Sequence, residues 1–151
     1  MHAVKEPVIS FPRWKPWSKR PRISDCMDVP PDFDFGGLYL FGHFPEGAHA
    51  AMSSEASHLA PEVIYIGMSQ RLTGRTQNHP KIASLYKAKF PDPRCELLYF
   101  THCDFGHGWT SWDLAHRSLS IVKSAFIRYV ERKLIWEYAK QFNRLPALNV
   151  K

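Results

Sequence analysis

The chain has 151 residues, 44% hydrophobic and 23% charged, the proportions of a single globular domain whose core needs no covalent staples. No apolar run approaches the roughly 20 residues needed to span a bilayer. The N-terminus carries proline and charge where a signal peptide needs an unbroken apolar stretch, so no membrane association and a cytoplasmic location are expected. Three cysteines (Cys26, Cys95 and Cys103) form no CxxC pair. That argues against a disulfide framework and against a structural zinc site, even with His102 and His107 close to Cys103. The net charge of +6 favours a polyanionic partner, a weak signal taken alone.

Residues 1–35 read as a basic, proline-rich arm. Pro7, Pro12, Pro16, Pro21, Pro30 and Pro31 preclude a helix or a central strand, and Lys5, Arg13, Lys15, Lys19, Arg20 and Arg22 lie between them. Phe11, Trp14 and Trp17 are candidate anchors onto the body. The cations either track phosphates or solvate a pinned tail.

The ordered domain is expected over 36–151. GGLYLFGH (36–43) is short, aromatic and β-prone. Residues 44–61, rich in Ala, Ser, Gly and His without periodicity, read as an inserted loop. EVIYIGM (62–68) is a second strand, rich in β-branched residues. RLTGRTQNH reads as a short helix, and PKIASLYKAKF as another, opened by Pro80 at its first turn. RCELLYFTHCD (94–104) is a third strand, followed by a loop holding Gly106, Gly108, Trp109 and Trp112. From about Asp113 to Phe142 runs the longest helical pattern, with Ala115, Leu119, Val122, Phe126, Tyr129, Lys133 and Trp136 as its main stripe and Ile121, Ala125, Ile135 and Tyr138 widening it. Pro146 ends it. The order implies an α/β protein of α+β type, a small three-stranded, mainly antiparallel sheet flanked by helices.

Two segments place a tyrosine beside glycine in an apolar strand: Gly37-Leu38-Tyr39 and Tyr65-Ile66-Gly67. Either alone is ordinary strand composition. Ten residues after Tyr65 comes Arg75, and four further on His79, a spacing that shares one helix face. Glu131 is the most discriminating acid. Its helical neighbours are Ile127, Leu134 and Ile135, with Arg128 on the remaining side, and a carboxylate on a mainly apolar face is costly to bury unless a cation meets it. A divalent metal and an internal ion pair with Arg75 both answer that need. Glu137, among Lys133, Lys140 and Gln141, has the pattern of a surface ion pair.

The sequence resembles the GIY-YIG nuclease superfamily in GLYLF, VIYIG, RLTGRTQNH, ERKLI and PALN, in that order, over residues 36–149. The resemblance implies the GIY-YIG fold and a metal-dependent DNA endonuclease of restriction or phage type. It matches Tyr39 and Tyr65 to the two motif tyrosines, Arg75 to the catalytic arginine, and His79 to the histidine or tyrosine after it. Glu131 matches the metal-binding glutamate and Asn149 the asparagine closing the domain. One Mg²⁺ or Mn²⁺ on Glu131 is the implied cofactor, and double-stranded DNA the implied partner, engaged by a monomer or a homodimer. Tyr39 is the expected base and Tyr65 the group that orients water or phosphate. His79 assists proton transfer, or competes as the base because its ordinary pKa suits the task. The sequence departs from the pattern in three ways: Leu38 replaces isoleucine, Met68 stands where many members place lysine, and the tyrosines lie 26 positions apart, from 39 to 65, more than twice the usual gap. No separate DNA-binding module is expected. Two alternatives compete with this reading: a catalytically idle DNA-binding module of the same fold, and an RNA-directed nuclease.

Overall fold

The computed structural model describes residues 8–19, 36–45, 55–69, 79–90, 97–105 and 116–149. Its regular elements are strand β1 (Lys15–Pro16), a 3-10 turn (Trp17–Lys19), β2 (Gly37–His43), β3 (Val63–Ser69), helix α1 (Pro80–Lys89), β4 (Leu98–Asp104) and helix α2 (His116–Phe142). The expected short helix over RLTGRTQN, the tip of the inserted loop and the glycine- and tryptophan-bearing loop lie outside the described residues.

The strands form one open antiparallel sheet in the order β1-β4-β2-β3. It has four strands where the sequence suggests three. The extra strand comes from the proline-rich segment: Lys15 and Pro16 pair with Phe100 and Tyr99 of β4. Proline is tolerated there because an edge strand leaves one side of its backbone outside the ladder.

Strand periodicity sorts the core into two layers. On one face, Leu38, Leu40, Val63 and Ile66 pack with Phe11 and Trp14 under α2. On the other, Tyr39, Phe41, Ile64 and Phe100 pack with Trp17, and Ile82 and Tyr86 of α1 cover them. Central strand β2 is therefore buried from Gly37 through Gly42. Between β2 and β3 the register shifts: Phe41 faces Tyr65 but Gly42 faces Val63, leaving Ile64 as an extra residue. This β-bulge puts Ile64 and Tyr65 together in the α1 layer.

α2 turns a different face to the sheet from the one its periodicity suggests. The buried stripe is Ile127, Val130, Leu134 and Tyr138, whereas Tyr129 and Trp136 are 62% and 63% exposed. Leu119, Val122 and Phe126 pack only partly against the core. The apolar count is high on two sides of this helix, and the β-sheet takes the side of Ile127, Val130, Leu134 and Tyr138. Tyr138 fixes the docking by donating its hydroxyl to the carbonyls of Val63 (3.1 Å) and Pro61 (3.3 Å). The helix ends at Asn143, whose φ of 53° is the left-handed cap conformation that Asn tolerates.

Candidate functional site

The α1 face of the sheet carries a cluster of polar aromatic groups. Tyr39 comes from central strand β2 and Tyr65 from β3, and their rings stack with centroids 5.9 Å apart at 28°. Both rings meet the imidazole of His79 edge-on, at 5.5 and 5.9 Å. The Tyr39 hydroxyl lies 2.9 Å from His79 Nε2 in a buried hydrogen bond. Tyr39 and His79 are 4% and 3% exposed, whereas Tyr65 is only partly buried and so meets solvent first.

Gly67 makes this arrangement possible. It lies directly across the ladder from Tyr39. A Cβ at this position would sit 2.5 Å from both Tyr39 Cζ and Tyr65 Cε1, and 2.7 Å from the Tyr39 hydroxyl oxygen. Rigid rings cannot yield to such a contact, so only glycine lets the two phenols close over the strand. Sequence reasoning treats this glycine as a strand terminator. The signal that could have found it is its place two residues after Tyr65, on the same strand face.

His79 is not helical. Its φ of −138° and ψ of 78° make it the N-cap of α1, ahead of Pro80 in the first turn. A shared helix face with Arg75 is thus not how His79 is placed, and Arg75 itself lies outside the described residues. Instead, Nδ1 accepts the backbone N–H of Ile82 at 3.3 Å, as an N-cap side chain does. A ring nitrogen that accepts carries no proton, so the neutral imidazole keeps its proton on Nε2 and donates it to the Tyr39 oxygen. The cap bond therefore sets the tautomer.

Asn149 brackets the outer edge of β3. Its Oδ1 accepts from the Ile66 N–H and its Nδ2 donates to the Ile66 carbonyl, both at 2.8 Å. The Leu148 N–H adds a bond to the Ile64 carbonyl at 2.7 Å. The chain end thereby covers the sheet edge on both sides of Tyr65.

Glu131 stands apart from this cluster. It lies on α2, whose buried stripe packs on the opposite face of the sheet. No described hydrogen bond or ion pair joins it to Tyr39, Tyr65 or His79. The carboxylate is half-buried, and burial pushes its pKa above the usual carboxylate value, opposed by the positive charges of Arg132 and then Arg128. Neither arginine closes an ion pair with it, whereas Glu137 pairs with His58 at 2.8 Å. Among the described residues no three His, Cys, Asp or Glu side chains converge as a metal cage. Among the described residues nothing bonds the Glu131 carboxylate, and a lone carboxylate is a donor that a hard cation keeping most of its water, such as Mg²⁺, can use. No helix among the described residues is long and apolar enough to cross a membrane.

No protein-family model, curated protein or solved structure matches the chain.

Proposed function

We propose that this protein is a metal-dependent endonuclease of the GIY-YIG type, hydrolysing phosphodiester bonds in DNA. The observation that carries the reading is the Tyr39–Tyr65–His79 cluster closed over Gly67. The two motif tyrosines and the histidine, dispersed over 41 residues, converge on one face of a β-sheet.

Tyr39 is the base. A phenol with an ordinary pKa near 10 needs help to act near neutrality. The Nε2–H of His79, aimed at its oxygen, favours the oxyanion. With Nδ1 engaged by Ile82, His79 has no free lone pair with which to compete as the base. The buried pair acts on a water held in the site rather than on bulk solvent. Tyr65, the more exposed ring, orients that water or the scissile phosphate. Arg75 offers a planar fork to the phosphate oxygens. Asn149 keeps β3 in place from its edge. Glu131 holds the divalent cation, which when bound supplies Lewis-acid stabilisation to the phosphate and the leaving oxygen. Glu131 and the tyrosines lie on opposite faces of the sheet in this structure, and the assignment of Glu131 as metal ligand comes from the family resemblance.

The test is incubation of the purified chain with supercoiled plasmid and with a structured RNA, each with Mg²⁺ or with chelator. Mg²⁺-dependent nicking or linearisation of the plasmid is expected. Cutting of RNA alone would move the substrate class, and DNA binding without cutting would leave an idle module of this fold.

A further inference from the structure

Helix α2 presents an outward stripe that neither the core nor the proposed catalytic residues use. Arg128, Arg132, Trp136 and Lys140 follow one another at four-residue steps, which aligns them along one ridge of a helix. Tyr129 lies beside the ridge, seven residues before Trp136, so the two rings sit two turns and about 10.5 Å apart on one side. All five side chains are exposed, and the Lys140 ammonium stands 6.0 Å from the Trp136 ring centre. The helix's acids point elsewhere. Glu131 lies on the flank next to the buried stripe, and Glu137 is turned toward His58. The ridge therefore combines cations with open aromatic faces and carries no carboxylate.

We infer that this ridge binds single-stranded nucleic acid, with Tyr129 and Trp136 stacking on bases and Arg128, Arg132 and Lys140 meeting phosphates. The charge selects a polyanion, and the rings select its unpaired form. Bases in a duplex have their faces covered by neighbouring base pairs, whereas an unpaired strand offers a π-face at every nucleotide. A gap of about 10.5 Å suits bases two or three nucleotides apart. The stripe also adjoins Glu131, on which Arg132 and Arg128 act electrostatically. It lies on the opposite side of the sheet from Tyr39 and Tyr65, so this binding goes beyond the nuclease reading and does not depend on it.

The test is fluorescence anisotropy of a labelled oligothymidylate of roughly 12 nucleotides, a length within the usual single-strand site size, with the full chain in chelator so that nothing is cut. Tyr129→Ala and Trp136→Ala are each expected to weaken binding about 5- to 100-fold. Trp136→Phe, which keeps a stacking face, should retain most of the affinity. Arg132→Gln should flatten the dependence of log affinity on log salt by about 0.7. Melting temperatures should stay unchanged, because the rings are exposed. Unchanged affinity in both alanine variants overturns the proposal, as does an equal loss on a blunt duplex. Self-association of the wild type that the alanine variants abolish in sedimentation also overturns it, since the face is then an interface between copies. Plasmid cutting by a wild type whose ring variants bind normally discards the stripe and keeps the nuclease. Ring-dependent binding without any cutting keeps the stripe and discards the nuclease.

Discussion

The phenol of Tyr39 and the imidazole of His79 meet at 2.9 Å, and the same imidazole caps helix α1 through its other nitrogen. One side chain thus joins a fold-level task, starting a helix, to the electronic state of a strand tyrosine forty residues earlier.

The two tasks of His79 separate by substitution. His79→Ala loses both, at a cost of about 1 kcal/mol for the cap. His79→Asn can still accept from the Ile82 N–H but is too short to reach the phenol, so its melting temperature should recover. Cleavage should fall about 10- to 100-fold in both, the loss of a hydrogen bond to a charged group. It should also rise with pH past neutrality in the wild type. A plateau near pH 7, or wild-type cutting by His79→Asn, would remove the Tyr39–His79 bond from the mechanism.

Gly67→Ala forces a methyl against two rings and should cost about 1–3 kcal/mol, the usual range for overpacking. Cleavage should fall by more than the lost stability explains, because Tyr39 and Tyr65 must separate. Retained activity in the folded variant would show that the stacking is incidental. Gly42, whose Cβ would meet Phe44 at 2.6 Å in the other layer, is the control: Gly42→Ala should lower stability without a specific loss of cutting.

Glu131 gives a stability prediction with a definite sign. Its pKa is raised in the folded state by burial, so folding favours the protonated form and stability falls as pH rises through the titration. Glu131→Gln should therefore melt higher than the wild type at neutral pH, and the gap should close in mild acid, where both side chains are neutral. Added Mg²⁺ should raise the melting temperature of the wild type and leave the variant unmoved. Equal stability at all pH values, with no response to Mg²⁺ in either protein, would contradict the metal assignment.

Much of this arrangement was legible in the residues, and what was not has physical causes. The strands around Tyr39 and Tyr65 carry apolar β-branched and aromatic residues bounded by turn formers, and β2 and β3 fall within a residue of their expected spans. Pro80 marked the start of α1. Strand β1 escaped because two residues with a proline carry no strand periodicity, and their pairing is set by β4. Hydrophobic periodicity misplaces the buried face of α2 because it weighs Tyr129 and Trp136 as core residues, while the sheet accepts the narrower Ile127–Val130–Leu134 stripe. The bulge at Ile64 depends on cross-strand pairing that no local pattern encodes, and the tautomer of His79 on a cap bond to Ile82 by a residue type outside the usual N-cap set.

The basic N-terminal segment divides into anchors and cations. Trp14 and Trp17 are 2% and 5% exposed and belong to opposite core layers, so Trp14→Ala or Trp17→Ala should cost about 3–5 kcal/mol. Arg13, Lys15 and Lys19, which flank and separate these anchors, are exposed. Replacing all three with Gln should leave melting unchanged and flatten the salt dependence of duplex DNA binding by up to about 2.7 units, given roughly 0.9 per phosphate contact. An unaltered slope would make this segment purely structural.

The most direct measurement is the single-turnover rate of Mg²⁺-dependent plasmid cutting by the wild type, Tyr39→Phe, Glu131→Gln and Arg75→Ala, with folding of each verified by melting. The wild type should cut, Tyr39→Phe and Glu131→Gln should not, and Arg75→Ala should lose about 10²-fold or more. Cutting at near wild-type rates by folded Tyr39→Phe and Glu131→Gln proteins would contradict this mechanism.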